Sequence, residues 1–380
     1  MTAMSDNDTR EDLLAARAYL LRVAEPPASA LWRFVADQGP IRAAELVRAG
    51  KVPVAVAKET DARRALDPHQ DLRAATDCGA RLLVPEDPDW PQWPLLVLEQ
   101  RARWYRDMTP PLALWCKGPG DLDRLAVRAA SIVGARAATG YGEQVATELG
   151  YDLADRGWTV ISGAASGIDG AAHRGALSAR GDTVAVLACG LDQDYPSSHA
   201  ALLRQITATG LVISEYAPGV RPAKHRFLVR NRLIAALGGG TVVVEAGVRS
   251  GAANTAGTAH RLDRPVMAVP GPITSAMSLG CNTMLRAGYA TAVSSCGEVI
   301  ETIGGYVTDQ ERPDSPSRPT DGLDRRELSV HQALDRIQPR SMAKLAVESG
   351  IPLSSVRAIL PSLELCGLAR RTEEGWCAPN

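Results

Sequence analysis

The sequence predicts a doubly wound α/β domain built on a parallel sheet, preceded by a small helical domain and followed by a winged helix. Three observations carry this expectation. From residue 129 onward, short β-branched runs alternate with stretches of helical periodicity; the runs are apolar throughout rather than at every second position; and polar, glycine-rich loops follow them. A strand covered by helices on both faces has no polar side, so continuous apolar runs mark a buried parallel sheet. The expected strands are 130–134, 158–162, 183–188, 211–214, 241–245, 265–269 and 291–294.

Ahead of this pattern, residues 11–50 show helical periodicity broken at Pro26-Pro27 and Gly39-Pro40, which gives a helical domain over 1–75. Residues 81–118 are rich in proline and carry Trp90, Trp93, Trp104 and Trp115, and read as extended chain clamped onto a neighbour. The α/β domain is expected over 76–307, with its core at 129–304. Residues 308–322 combine prolines and charges without apolar periodicity, the composition of a linker. In 323–380, helical patterns over 327–337, 341–349 and 352–365 precede a short hairpin, the arrangement of a winged helix. Arg357 is the one basic residue of its third helix, and Pro361 is expected to kink or shorten that helix. A protein contact is therefore expected there rather than duplex reading.

Composition limits what the chain can bind as a whole. Among 380 residues, 42 basic and 43 acidic side chains leave a formal net charge of −1 and a pI of about 6.6, so any nucleic-acid site has to be local. The seven cysteines are scattered and never spaced as C-x-x-C, which fits a reducing cytoplasm and gives no zinc motif. The apolar stretch Leu13–Val23 is interrupted by Arg17 and Arg22, and no run has the length of a membrane span. No metal or cofactor is expected.

In an open parallel sheet, ligands bind outside the carboxyl ends of the strands, where helix N-termini offer free N–H groups to anions. After the first expected strand comes Gly134-Ala-Arg136-Ala-Ala-Thr139-Gly140, with Thr139 placed to cap a helix. The loop suits a phosphate, but it has neither the G-x-G-x-x-G spacing nor a P-loop lysine. After the second strand, Ser162-Gly163 leads to Asp169 and His173, four residues apart, either an acid/base pair or a helix-start carboxylate beside an imidazole. Asp192, Asp194 and Glu215 follow later strands and are candidates to clamp arginines. The densest segment is Lys224-His225-Arg226-Phe227-Leu228-Val229-Arg230-Asn231-Arg232. It either pairs with phosphate and stacks a base or forms a solvated basic helix; Arg226 and Arg230 share a helical face, while Arg232 is expected to turn inward toward Glu215 or Glu245.

The ordered run Ile132-Val-Gly-Ala-Arg136, Val160-Ile-Ser-Gly163, Gly167-Ile-Asp169, Gly190-Leu-Asp192, Tyr195-Pro196, Ser214-Glu215, Arg230-Asn-Arg232, Val243-Val-Glu-Ala246 and Val269-Pro-Gly271 resembles the DprA/Smf family. The resemblance implies an extended Rossmann-like fold, with an N-terminal SAM-like helical domain and a C-terminal winged helix. It also implies a non-enzymatic cytoplasmic homodimer that binds single-stranded DNA, protects it, and loads the RecA recombinase during natural transformation and recombination. Carried over by position, Arg136 is the phosphate-binding arginine, and Ser162, Gly163, Ser214, Arg230, Asn231 and Arg232 form the pocket wall. With Gly134, Lys224, Arg226 and Phe227 these make up the expected DNA-binding set. The chain departs from the family pattern in having Leu228 after Phe227 where proline is usual, and His199 where asparagine is usual.

Two rival readings remain. Gly238-Gly-Gly-Thr241-Val-Val-Val-Glu245 is similar to a nucleotide phosphoribohydrolase motif, with its glutamate one residue late and therefore on the opposite face of the strand. A nucleotide-sensing module of the same superfamily is the other.

Overall fold

In the computed structural model, which describes residues 6–305, 320 and 322–379, every expected strand of the α/β domain forms. The strands are β1 (Arg81–Leu83), β2 (Leu114–Lys117), β3 (Ala129–Gly134), β4 (Thr159–Ser162), β5 (Thr183–Leu187), β6 (Leu211–Ser214), β7 (Thr241–Val244), β8 (Val266–Ala268) and β9 (Thr291–Ala292). Among the described residues they form one nine-stranded sheet in the order β1-β2-β6-β5-β4-β3-β7-β8-β9. From β6 to β9 all pairs are parallel. The chain winds from β3 outward to β6, then crosses back to lay β7 on the other side of β3. The switch point of the fold therefore lies between β3 and β7.

Strand side chains alternate between two apolar layers. In β5, Val184 and Val186 enter one core with Leu233, Leu237 and Ala256, while Ala185 and Leu187 enter another with Leu20, Leu31 and Leu203. This is the period-two alternation of a pleated strand, apolar on both faces because both are covered. Helices Lys224–Leu237 and Gly251–Arg261 cover one face of the centre. Helices Gly140–Asp155 and Ile168–Ser178 cover the other. The N-terminal helices, from Asp6–Val23 to Pro68–Asp77, pack Tyr19, Leu20 and Val47 into the same core as Trp115 and Leu187.

The 81–118 segment is extended and packed on a neighbour only near its ends, which corrects the expectation of an extended clamp throughout. It forms two antiparallel edge strands, with helix Gln92–Ala102 between them; β2 pairs with β6, Trp115 opposite Ser214. The exposed N–H and C=O groups of a sheet edge recruit a neighbouring extended segment, which the proline content obscured. Trp90 and Trp115 are buried, but Trp93 and Trp104 face solvent, so the tryptophans do not act as one clamp.

Residues 322–379 belong to a second compact unit. The expected linker at 308–322 lies outside the described residues save for 320 and 322. Within the second unit, helices Arg325–Gln332, Met342–Ser349 and Leu353–Leu365 enclose Val330, Leu345, Val356 and Leu360, and strands β10 (Arg370–Thr372) and β11 (Gly375–Cys377) form the wing. The last helix runs through Pro361 rather than stopping there. Burial of Leu360 and Leu363 on either side holds the turn although the ring removes one backbone donor. No described helix is long and apolar enough to cross a membrane.

Candidate nucleic-acid interface

The crevice that the topology designates, outside the ends of β3 and β7, is closed by the protein's own carboxylate. Thr139 caps helix Gly140–Asp155, as expected, by accepting from the Gly142 amide at 3.2 Å. Glu245, which follows β7 in the left-handed region at φ 55°, accepts from the Thr139 amide at 2.9 Å and from its hydroxyl at 2.6 Å. A carboxylate thus occupies the positive end of the helix where a phosphate was expected. Gly134 lies beneath it, packed so closely that a Cβ would meet the Val244 carbonyl at 2.0 Å. Its part is structural.

The neighbouring crevice, at the ends of β4 and β5, is open. Its floor is the loop after β4, pinned from two sides. Asp169 accepts from the amides of Gly163 at 3.2 Å and Ala165 at 3.4 Å. Nδ1 of His199 donates to the Ala164 carbonyl at 3.0 Å, holding Ala164 at φ 52°. Arg230, only 5 % exposed, reaches from helix Lys224–Leu237 to donate to the carbonyls of Gly163, at 2.7 Å, and Val186. A side chain at Gly163 would put its Cβ 2.2 Å from that guanidinium, which explains the glycine. Burial lowers Arg230 to about 10, with Asp169 opposing the shift, so the guanidinium stays charged at neutral pH. Burial raises Asp169, which Arg230 and the loop amides oppose.

Above this floor lies a cleft of about 90 Å³ lined by Arg136, Gly163, Ser166, Tyr195, Phe227 and Arg230, among others. Tyr195 and Phe227 stand 5.5 Å apart at 36°. The exposed guanidinium of Arg136 lies 5.0 Å from the Phe227 ring centroid. Lys224 is exposed at the start of the same helix. The arrangement offers one solvent-facing cation, a second cation behind it, and two aromatic faces, which together can hold a phosphate and stack a base.

Other expected site residues lie elsewhere. Ser162 is enclosed and donates to the Ile132 carbonyl at 2.6 Å; Ser214 is enclosed and donates to the Cys189 carbonyl at 2.8 Å. Asn231 bonds Asn254 at 3.1 Å. Arg232, 2 % exposed, forms a two-pronged ion pair with Glu215 at 2.6 and 2.7 Å, the inward turn anticipated for it. These four are spent on holding strand ends and helix together, and a DNA phosphate reaches none of them without repacking. Arg226 does not join Arg230 despite their shared spacing: it bonds Glu25 through Nε at 2.7 Å and lines a different pocket. The Asp169 and His173 pairing also fails. His173 is enclosed and bonds Thr183 at 2.7 Å through Nδ1, and burial lowers it to about 3.

The cleft also brings in Tyr195 and Ser166, which lie in the strand-end loops but outside the expected DNA-binding set. Tyr195 stands beside Pro196 in the loop after β5; its signal is an aromatic residue at a strand end in a chain with two phenylalanines.

Comparison with known proteins agrees with this architecture. The model for DNA recombination-mediator protein A matches residues 81–304, and that for the DprA winged helix domain matches residues 314–375. A Mycobacterium tuberculosis relative bearing the DprA name is 46% identical over 364 residues, spanning 94% of this chain and 92% of that protein. The Escherichia coli protein Smf is 34% identical over 264 residues, 68% of this chain and 69% of its own length. The X-ray structure of DNA processing protein A from Streptococcus pneumoniae superposes with a TM-score of 0.60 at 28% identity, covering 74% of this chain and 95% of that one. The family match runs through every strand and loop that builds the cleft, and the chain belongs to the DprA/Smf family of DNA-processing proteins.

Proposed function

We propose that this protein is a non-catalytic, cytoplasmic single-stranded DNA-binding protein that uses the Arg136 cleft to hold the backbone and stack bases. The observation that carries this reading is the solvent-facing Arg136 guanidinium over Phe227, with Tyr195 alongside and the charged Arg230 behind. Single strands present phosphates and base faces together, and a cation beside paired aromatics serves both without reading sequence. Family membership supports the remainder of the proposal: homodimer formation, protection of the strand, and loading of RecA in transformation and recombination, with the winged helix contacting protein.

Nucleotide hydrolysis is the weaker reading, because Glu245 is committed to Thr139. Gel shifts with single-stranded and duplex DNA over a salt series, with a mononucleotide competitor and an assay for nucleotide cleavage, test the choice. Three or four phosphate contacts give a slope of log affinity against log salt of about −2 to −3 for the single strand. A salt-independent affinity, preference for duplex, or strong displacement by the mononucleotide overturns it. RecA loading is read as faster strand exchange on a protected single strand.

A further inference from the structure

A second pocket, of about 330 Å³, lies where helix Asp6–Val23 meets the 215–226 segment, and none of its chemistry is used by the Arg136 cleft. Arg22, Arg63, Arg221 and Arg226 line it, together with Glu25, Glu215 and Tyr216. The carboxylates are already engaged. Glu25 accepts from Arg226 at 2.7 Å, Arg63 at 2.8 Å and His225 at 3.3 Å; Glu215 is held by Arg232 behind the wall; Asp71 sits 3.7 Å from Nε of Arg22. Counting Arg22, Arg63, Arg221, Arg226 and Arg232 against Glu25, Asp71 and Glu215 leaves two positive charges in excess.

Two enclosed polar atoms lack partners as well. The Tyr216 side chain is 4 % exposed with its ring 5.0 Å from the Arg226 guanidinium, and neither its hydroxyl nor Nη1 of Arg22 makes a hydrogen bond. Buried donors of this kind are ordinarily satisfied, and these two can bond only to a group that enters the pocket, a water or an anion. Arg221 is exposed at the mouth and pairs with no carboxylate among the described residues. A cation is repelled by the surplus charge, and an apolar ligand leaves the donors unmet.

We propose that this junction is a second oxyanion site, taking a phosphate group between Arg22, Arg221 and the Tyr216 hydroxyl. The group comes either from free phosphate or from a DNA strand continuing past the Arg136 cleft, since Arg226 and Phe227 are consecutive and line the two pockets. Only the second source rests on the proposed DNA binding.

The test uses the full chain carrying Arg136→Ala, which weakens the first cleft, compared with the same chain also carrying Tyr216→Phe or Arg221→Gln. Tyr216→Phe keeps the ring beneath Arg226, and Arg221→Gln alters an exposed side chain; circular dichroism checks each fold. Inorganic phosphate at millimolar concentration, against chloride of equal ionic strength, should raise the melting temperature of the parent by about 2 °C, and either added change should abolish the rise. In chains with Arg136 intact, a DNA source predicts that Arg221→Gln weakens oligothymidylate binding about threefold and reduces the salt slope by about 0.7. A free-phosphate source predicts unchanged oligonucleotide binding with the thermal response lost. A chain that binds phosphate but no oligonucleotide ends the DNA reading and leaves this site standing. The site is overturned if both added changes leave the phosphate response and the oligonucleotide binding of their parents untouched.

Discussion

The two crevices at the carboxyl rim of the sheet are built alike and end in opposite states. At β3 and β7, a helix start capped by Thr139 is closed by the Glu245 carboxylate. At β4 and β5, one strand away, the loop is closed from below by the Arg230 guanidinium, and the cleft above it stays open. Both crevices spend a buried charge on fixing a loop. The first crevice carries its anion within the chain, whereas the second keeps its buried cation on backbone carbonyls and leaves the exposed Arg136 guanidinium facing solvent. The topological rule that ligands gather at strand ends locates the rim, and single side chains decide which part of the rim is available.

The largest test separates arginines that hold the fold from arginines that face ligand. Arg232→Ala strands the buried Glu215 carboxylate without a counterion and should cost about 3–5 kcal/mol, read as a lower urea midpoint. Arg136→Ala should leave that midpoint in place and weaken single-strand binding about tenfold, the worth of one charge-assisted phosphate contact. Equal stability losses in the two variants would erase the distinction between them.

Glu245→Gln keeps the side-chain carbonyl but removes the charge at the helix start. It should cost about 1 kcal/mol of stability and give the β3 and β7 crevice a measurable phosphate affinity; a variant with neither effect shows that the carboxylate is not what closes that crevice.

The remaining test lies in acid. Burial pushes the Glu25 carboxyl up, but hydrogen bonds from Arg226, Arg63 and His225 together outweigh it and hold the group at about 2, against the usual 4.5. Its contribution to stability is complete above 4.5 and is lost as the pH falls toward 2. Glu25→Gln should therefore be less stable than the parent at neutral pH, with the gap closing below pH 4.5; a gap constant with pH would show that the ion pairs contribute nothing. His173, lowered to about 3 by burial, adds acid sensitivity common to both proteins: its neutral form is favoured by folding, and that stability falls as pH drops below 6.5.

The strands and the winged-helix elements were legible because hydrophobic periodicity is local: a run such as Thr183-Val-Ala-Val-Leu187 has to be buried on both faces whatever its neighbours are. Thr139 as a cap and Arg232 turned inward were legible for similar reasons, one from helix-start chemistry and one from the cost of an unpaired buried charge. The edge strands at 81–117 were not, since an edge strand forms where an existing sheet offers it partners. Nor were the separate fates of Arg226 and Arg230. They sit one turn apart on a helix whose start abuts Glu25 of a distant segment, about two hundred positions earlier in the chain, on one side and the Gly163 loop on the other.

The amino-acid sequence by itself determined the layered α/β architecture, the winged helix, and the concentration of glycine and arginine at the strand ends, because each follows from short-range pattern and from solvation of individual residues. Tertiary structure alone decided which of those arginines faces solvent, which is locked to Glu215 or Glu25, and that Glu245 fills the crevice nominated by the fold. Those outcomes depend on which carboxylates and carbonyls arrive from remote segments, and a guanidinium settles on the partners that folding brings within hydrogen-bonding distance.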